Sequence, residues 1–196
     1  MTNILILCGP TGCGKTFIAN LLSSSDIEPL LMQSGIPIFH KVMQVTTRER
    51  RDFSEYADSY SFISEEEYED LKFNERLTAK TSFNGNKYGT LIENFIHGQN
   101  AYNIIVANAE GTADVINMYG NDKEYNIITA IVLSQSDDGM INEHCRDINI
   151  VKNEIFDLMQ SPYDYYIPNY EPNRATLKKI LKILGFKLRK DLVWKN

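Results

Sequence analysis

Residues 9–16 read Gly9-Pro10-Thr11-Gly12-Cys13-Gly14-Lys15-Thr16, which fits the pattern G-x-x-x-x-G-K-[ST]. An almost wholly apolar run, residues 3–8, precedes this segment, and a helical pattern over residues 15–24 follows it. A short apolar run of that kind is typical of a central parallel strand that is buried on both faces. The strand, the glycine-rich turn and the helix together predict a phosphate-binding loop and disfavour a glycine-rich turn with an incidental lysine.

The residue types of this loop suit the binding of a nucleoside triphosphate, most often ATP or GTP. Glycines let the backbone wrap around a phosphate and point its N–H groups inward. The N-terminus of the following helix adds partial positive charge. We predict that all eight residues contact the phosphates, that Lys15 reaches the β- and γ-phosphates and that the Thr16 hydroxyl is a ligand of Mg²⁺.

Size and composition limit the remaining function classes. The 196 residues are 43% hydrophobic and 23% charged, as expected for one globular domain with small inserted subdomains. A net charge of −6 argues against extended binding of nucleic acid, and no apolar run approaches the roughly 20 residues that span a bilayer. The three cysteines (Cys8, Cys13 and Cys145) show no zinc-finger spacing, so we expect a reducing, cytoplasmic location.

Apolar runs and helical patterns alternate along the chain. They predict strands at 3–8, 42–47, 102–107, 127–133 and 165–167, and helices at 15–24, 64–72, 111–119, 138–160 and 173–184. This alternation predicts an α/β fold with a central parallel sheet flanked by helices. The stretch from 48 to 98 is charged and rich in aromatic residues, with a turn at 84–86, and we interpret it as a mixed insert with short antiparallel strands and one helix.

A second anion site is indicated where the strand predicted at 42–47 ends. Residues 46–51 read Thr-Thr-Arg-Glu-Arg-Arg, and Tyr60 and Tyr88 follow within forty residues. The planar fork of arginine suits a bidentate grip on a phosphate, and tyrosine hydroxyls can donate to the same oxygens. Three arginines alone would suit a solvated basic turn, but the phosphate loop upstream favours a second phosphate site.

The ordered series of motifs resembles the guanylate kinase family, within the P-loop nucleoside monophosphate kinases. The resemblance covers most of the chain, weakens after about residue 134 and resumes at residues 164–169. Beyond the phosphate loop it is carried by Thr46-Thr47-Arg48-x-x-Arg51, Tyr60-x-Phe62, Phe83-x-Gly85-Asn86-x-Tyr88-Gly89-Thr90, Gly111 and Asp164-Tyr165-Tyr166-Ile167-Pro168-Asn169.

The resemblance implies a division of the single domain into a core (1–41, 99–133 and 148–196), a monophosphate-binding insert (42–98) and a short lid (about 134–147). The insert would close over the acceptor. The implied residue roles fall into three sets. The acceptor's phosphate would be held by Arg48, Arg51, Tyr60 and Tyr88, with Gly89 in the acceptor site and Thr90 near the base. Arg146 would reach the transferred phosphoryl group from the lid. Asn169 would lie near the adenine of ATP.

Several positions depart from the family pattern. The base-reading glutamate of the family falls at Ala79, an acidic pair falls at Val106 and Asn108, and a serine falls at Gln44. A further glutamate is matched only by the shifted candidate Glu55, and the lid is short. Because alanine cannot accept hydrogen bonds from guanine, reading of guanine would need Asn108, Gln44 or water, or the two amides would favour another base.

The resemblance implies an ATP-dependent nucleoside monophosphate kinase that passes the γ-phosphate directly and in line to GMP or dGMP. Lys15, Arg48 and Arg146 would be catalytic, and Mg²⁺ would accompany ATP. One alternative is a related kinase that acts on another or modified (deoxy)nucleoside monophosphate or on a sugar phosphate. A non-catalytic binding module is the other. We expect a monomer or homodimer that binds neither nucleic acid nor membrane.

Overall fold

A computed structural model describes residues 1–10, 12–50, 60–134, 153, 156–158, 162–169 and 174–187. Helices and strands alternate along the described chain, and a 3₁₀ turn at Ile92–Asn94 separates its two halves. In chain order the elements are β1 (Thr2–Cys8), α1 (Lys15–Leu22), α2 (Glu28–Gln33), β2 (Ile38–Lys41), β3 (Gln44–Thr46), β4 (Tyr60–Phe62), α3 (Glu65–Phe73), β5 (Leu77–Phe83), β6 (Asn86–Leu91), β7 (Ala101–Ala107), α4 (Ala109–Tyr119), β8 (Tyr125–Ser134), β9 (Tyr165–Asn169) and α5 (Arg174–Ile183).

The core is a five-stranded parallel sheet in the order β2-β7-β1-β8-β9. Every residue of β1 is buried, as the apolar run predicts for a strand between two neighbours. Leu5 pairs with Ile104 of β7 on one side and Ile128 of β8 on the other. The central position of β1 places the phosphate loop that follows it at the carboxyl edge of the sheet.

Helices cover both faces of this sheet. Because alternate residues of a strand point to opposite faces, Leu5 and Leu7 pack into one hydrophobic cluster with residues of α1 and α5. Ile4 and Ile6 pack into the other cluster, which includes Val115 of α4. Both faces of β1 are therefore closed, and the phosphate loop follows at its carboxyl end.

A second, four-stranded sheet has the order β4-β3-β6-β5 and lies within the predicted insert. Strands β5 and β6 form a hairpin whose turn residues, Asn84 and Gly85, have φ of 49° and 77°, the positive values that a type I′ turn requires. Helix α3 begins with a capping box in which the Ser64 hydroxyl accepts from the backbone N–H of Glu67 and the Glu67 carboxylate accepts from that of Ser64.

The predicted α/β fold with a central parallel sheet flanked by helices is confirmed. Two elements were missed, α2 and the edge strand β2, whose polar His40 and Lys41 lie at the border of the sheet where burial is incomplete. The strand predicted at 42–47 extends only over β3. Most of the helix predicted at 138–160 and of the lid predicted at 134–147 lies outside the described residues. No helix in the described ranges is long and apolar enough to cross a membrane.

Candidate active site

The phosphate loop turns sharply between β1 and α1. Gly12 and Gly14 have φ of 86° and 91°, values that residues with a side chain rarely adopt. At Gly9 an added Cβ would lie 2.3 Å from the carbonyl oxygen of Val132. The loop therefore has the tight backbone that the glycine pattern predicts, and β8 presses against its first residue.

The Lys15 side chain folds back over this loop. Its Nζ donates to the carbonyl oxygens of Gly9 at 2.7 Å and Pro10 at 2.8 Å. The ammonium group is thus held at the concave side of the loop, where a phosphate would bind. Cys13 is fully buried in the core cluster that contains Leu7, so its side chain contributes to packing; Thr11 lies outside the described residues.

The loop also fits a magnesium ion that arrives with a nucleotide. Magnesium usually takes one or two protein ligands together with substrate phosphates and water. The Thr16 side chain is half-buried in the first turn of α1, next to the left-handed Gly14. The described part of the chain contains no cluster of three or more histidine, cysteine, aspartate or glutamate side chains that could hold a metal by itself. Thr16 is therefore the residue suited to a metal that the phosphates mainly hold.

Three of the predicted acceptor residues meet on the second sheet. The Arg48 guanidinium lies 5.9 Å from the ring centre of Tyr60 and 5.5 Å from that of Phe62. The rings of Tyr60 and Tyr88 approach edge to face at 6.3 Å, because β3 pairs with both β4 and β6. The structure thus brings Arg48, Tyr60 and Tyr88 together; Arg51 lies outside the described residues.

Helix α3 stabilises the position of Tyr88 in this cluster. The Tyr68 hydroxyl donates to the backbone oxygen of Tyr88 at 2.9 Å, and burial raises the pKa of Tyr68 to about 12. Lys87 forms ion pairs with Glu65 and, at 2.8 Å, with Glu69. Hydrogen bonds from Lys87 lower the pKa of both carboxyl groups. These contacts hold the hairpin, and with it Tyr88, against α3.

Gln44 and Thr90 lie at the junction of the two sheets. The Gln44 amide donates to the backbone oxygen of Val106 at 2.7 Å and to the Thr90 hydroxyl at 3.5 Å. Both residues are buried, with exposed fractions of 7% and 0%. The amide predicted as a base reader is therefore engaged in joining β3 to the end of β7.

Ala79 also lies at this junction. It is 3% exposed and packs in the core cluster with Ile4 and Ile6. Its φ of 53° falls in a bulge where Ala79 and Lys80 together oppose Gly89. The position that the family pattern aligns with a base-reading glutamate is thus part of the packing between the sheets.

Asn108 caps helix α4. Its Oδ1 accepts from the Gly111 N–H at 2.9 Å, and its Nδ2 donates to the Thr81 hydroxyl at 2.9 Å. Thr81 in turn donates to Oε2 of Glu110 at 2.5 Å. Asn108 therefore links α4 to the hairpin, and it orients a carboxylate through Thr81.

Glu110 lines a cavity of about 290 Å³. The walls are formed by Gly9 of the phosphate loop, Ser82 and Phe83 of the hairpin, the start of α4 at 108–110, and residues 153, 157 and 158. Glu110 was not predicted. Its place three residues beyond the carboxyl end of the core strand β7 was the available signal, because ligands of open α/β sheets bind at that edge.

Three predicted residues can be located only partly or not at all. The backbone of Asn169 ends β9 and pairs with Ser134 at the end of β8, which puts it at the same edge of the sheet as the phosphate loop. Its side chain is outside the description, as are Arg146 and the shifted candidate Glu55.

Comparisons with known proteins agree on one family. A family model described as guanylate kinase matches residues 1–182. The guanylate kinase of Mycoplasmopsis pulmonis is 26% identical over 193 residues, which cover 93% of each chain. That of Brucella melitensis is 36% identical over 90 residues, which cover 46% of this chain and 37% of the relative.

A solved structure shows the same fold. The crystal structure of guanylate kinase from Anaplasma phagocytophilum matches with a TM-score of 0.63 at 20% identity, covering 94% of this chain and 85% of the other. Because the family model spans almost the entire sequence and the fold agrees, this chain belongs to the guanylate kinase family.

Proposed function

We propose that the protein is an ATP-dependent nucleoside monophosphate kinase that transfers the γ-phosphate of ATP to GMP or dGMP. The observation that carries this proposal is the pairing of two anion sites in one chain. A glycine cradle holding Lys15 lies at the end of β1, and an arginine–tyrosine cluster of Arg48, Tyr60 and Tyr88 lies on the insert. One site suits the donor's phosphates and the other suits the acceptor's phosphate.

The reaction is a direct in-line transfer. An oxygen of the acceptor's phosphate attacks the γ-phosphorus while the bond from that phosphorus to the bridging β,γ-oxygen breaks, and ADP leaves. Lys15 exchanges its contacts with the carbonyl oxygens of Gly9 and Pro10 for phosphate oxygens, which its ammonium group binds more strongly because they are charged. Its charge stabilises the transferring group.

The insert residues position the attacking phosphate. Arg48 and Arg51 neutralise it, which reduces the repulsion between two anions, and the hydroxyls of Tyr60 and Tyr88 add hydrogen bonds. Arg146 adds positive charge from the lid. Closure of the insert excludes water and so limits hydrolysis of ATP. Asn169, at the end of β9, would lie near the adenine of ATP, as the family resemblance implies.

Magnesium completes the donor site. Bound together with ATP, it would offset the negative charge of the phosphates during transfer. The Thr16 hydroxyl is the ligand that this chain supplies, from the first turn of α1.

The residues at the base-reading positions of the family also allow a second candidate function. The burial of Ala79 and the engagement of Gln44 with Val106 favour, as a second candidate, a kinase of another or modified nucleoside monophosphate. A sugar phosphate is less favoured because the tyrosine-rich clamp suits a nucleotide-like phosphate ester. The intact phosphate loop argues against a non-catalytic binding module.

The test is an assay coupled to ADP formation, run with a panel of ribo- and deoxyribonucleoside monophosphates. Lys15→Ala should lower kcat by about 10²- to 10³-fold, as expected for loss of one group that stabilises transition-state charge. Lys123→Ala removes an exposed lysine that is not among the proposed site residues. It is the matched control, and we expect it to keep wild-type turnover. Undiminished activity of Lys15→Ala, or no turnover of any monophosphate by the unsubstituted protein, would contradict the proposal.

A further inference from the structure

We propose that Glu110 reads the base of the acceptor nucleotide and selects guanine through its ring N1–H and its 2-amino group. This inference depends on the proposed kinase activity, since it assigns the specificity of the same site. The reader comes from α4 on the core side of the cleft and not from the insert, where Ala79 is buried.

The position of Glu110 fits this role. It lies in the first turn of α4, directly after the carboxyl end of β7, and its side chain is exposed. The cavity it lines is bounded by Gly9 on the side of the phosphate loop and by Ser82 and Phe83 on the side of the insert. A volume of about 290 Å³ is near the lower end of the range of about 300–1,000 Å³ for small-molecule pockets. Glu110 therefore borders a space between the phosphate loop and the hairpin of the insert.

A chain of hydrogen bonds fixes the orientation of this carboxylate. Asn108 donates to Thr81, and Thr81 donates to Oε2 of Glu110. The backbone N–H of Ser82 adds a longer contact of 3.4 Å to the same oxygen. Within the described part of the chain no donor contacts Oε1. Since a carboxylate has about four acceptor sites, Glu110 is held in place and can still accept two hydrogen bonds.

Guanine offers two donors that match a carboxylate. Its N1–H and 2-amino group lie side by side and point the same way, so both oxygens of one carboxylate can accept from them. Adenine presents an unprotonated N1, whose lone pair a carboxylate repels. Hypoxanthine keeps the N1–H and lacks the 2-amino group. Phe83 lines the same cavity, and an aromatic ring offers a flat apolar surface against which a base can stack.

The other polar groups near the cavity are less suited to reading guanine. The amides of Gln44 and Asn108 are engaged within the fold. Asp157 lines the cavity, but none of the described residues donates to its carboxylate to fix its direction. Glu110 is thus the acid in this space that the described structure both orients and leaves open to a ligand.

Glu110 also has a structural role to be separated from this one. An acid in the first turn stabilises a helix through its dipole. Loss of that effect would lower the thermal stability and would leave the preference between bases unchanged. The decisive quantity is therefore the ratio of kcat/KM for GMP to kcat/KM for IMP, because the two substrates differ only in the 2-amino group.

The experiment measures this ratio, at saturating ATP, for the unsubstituted protein and for Glu110→Gln. We expect the unsubstituted protein to prefer GMP by at least about tenfold and Glu110→Gln to bring the ratio close to one, with KM for ATP unchanged. Glu110→Asp, which keeps the charge, should restore part of the preference. Glu66→Gln, which neutralises a first-turn acid of α3, is the matched control and should keep the ratio.

The outcomes distinguish this inference from the proposed function. If Glu110→Gln keeps the full preference for GMP, Glu110 is only a helix-stabilising residue and the inference is wrong, while the kinase activity stands. If the unsubstituted protein prefers AMP or IMP to GMP, the inference is likewise wrong, while the kinase activity stands. If the unsubstituted protein phosphorylates no monophosphate, the proposed function itself fails.

Discussion

Replacing Gly9 with alanine would place a methyl group where the phosphate loop touches β8. The new Cβ would lie 2.3 Å from the carbonyl oxygen of Val132 and 2.7 Å from the sulfur of Cys13. The Cys13 side chain can rotate away. The Val132 carbonyl cannot, because β8 is paired with β1 on one side and with β9 on the other. The loop must move instead.

The size of the effect follows from this contact. Real Cβ atoms essentially never approach closer than 3.0 Å, so the loop has to shift by at least about 0.7 Å. Overpacking of this kind costs about 1–3 kcal/mol. For a domain of this size each kcal/mol lowers Tm by about 2–4 °C, so we expect Gly9→Ala to lower Tm by roughly 2–12 °C. The shifted loop should also bind ATP at least about tenfold more weakly, since its N–H groups no longer converge.

Thermal unfolding and calorimetric titration with Mg-ATP measure the two effects. Gly35→Ala is the matched control: Gly35 has φ of 67° and no atom within 4 Å of an added Cβ. It carries the backbone strain of a left-handed residue, about 1–2 kcal/mol, without any clash. We expect it to lower Tm and leave ATP affinity unchanged. If Gly9→Ala unfolds at the wild-type temperature and binds ATP normally, the reasoning from this contact is refuted.

Two further predictions concern the elements around the site. Asn108→Ala should destabilise the fold by about 2 kcal/mol, since it removes the cap of α4, about 1 kcal/mol, and the hydrogen bond to Thr81, about 1 kcal/mol; Asn108→Asp keeps the cap and should lose less in urea unfolding. Lys87 lowers the pKa of Glu65 and Glu69 in the folded state, so their stabilisation is present above the unfolded pKa of about 4.3 and is lost as the pH falls through the lowered values. Lys87→Met should therefore have a lower Tm than the unsubstituted protein at pH 7, by a few degrees at most for exposed pairs, and this difference should shrink below about pH 4. A difference that stays constant from pH 7 to pH 3 would contradict the assignment.

The phosphate loop and the main strands could be predicted from the sequence because local information determines them. The glycine pattern specifies the turn after β1, and the apolar runs of β7 and β8 specify buried parallel strands whatever else surrounds them. The ordered motifs also predicted that Arg48, Tyr60 and Tyr88 belong to one site, since Tyr60 and Tyr88 lie on strands of the same small sheet and Arg48 follows the end of β3.

The junction between the sheets could not be predicted in this way. The burial of Gln44, Ala79 and Thr90 depends on how the insert packs against the core, and that packing involves residues far apart in the chain. The position of the family's glutamate was found by counting back from Tyr88 without a gap. Such counting does not detect the bulge at Ala79, where β5 has one residue more than the paired strand β6. Glu110 was missed because a lone acid in a first helical turn is common, and only the chain from Asn108 through Thr81 distinguishes it.

The packing of Ala79 in the core fixes the hairpin at this residue, which would be the pivot of any rotation of the hairpin. Lys80 reinforces this point, since its ammonium group and its backbone N–H both contact the Asp114 carboxylate of α4 at 3.0 Å. Tyr88, opposite Thr81, lies about two residues or 7 Å from the pivot, whereas the turn at Gly85 lies about six residues or 20 Å away, at roughly 3.4 Å per residue. Any rotation of the hairpin therefore carries its tip almost three times as far as the phosphate clamp.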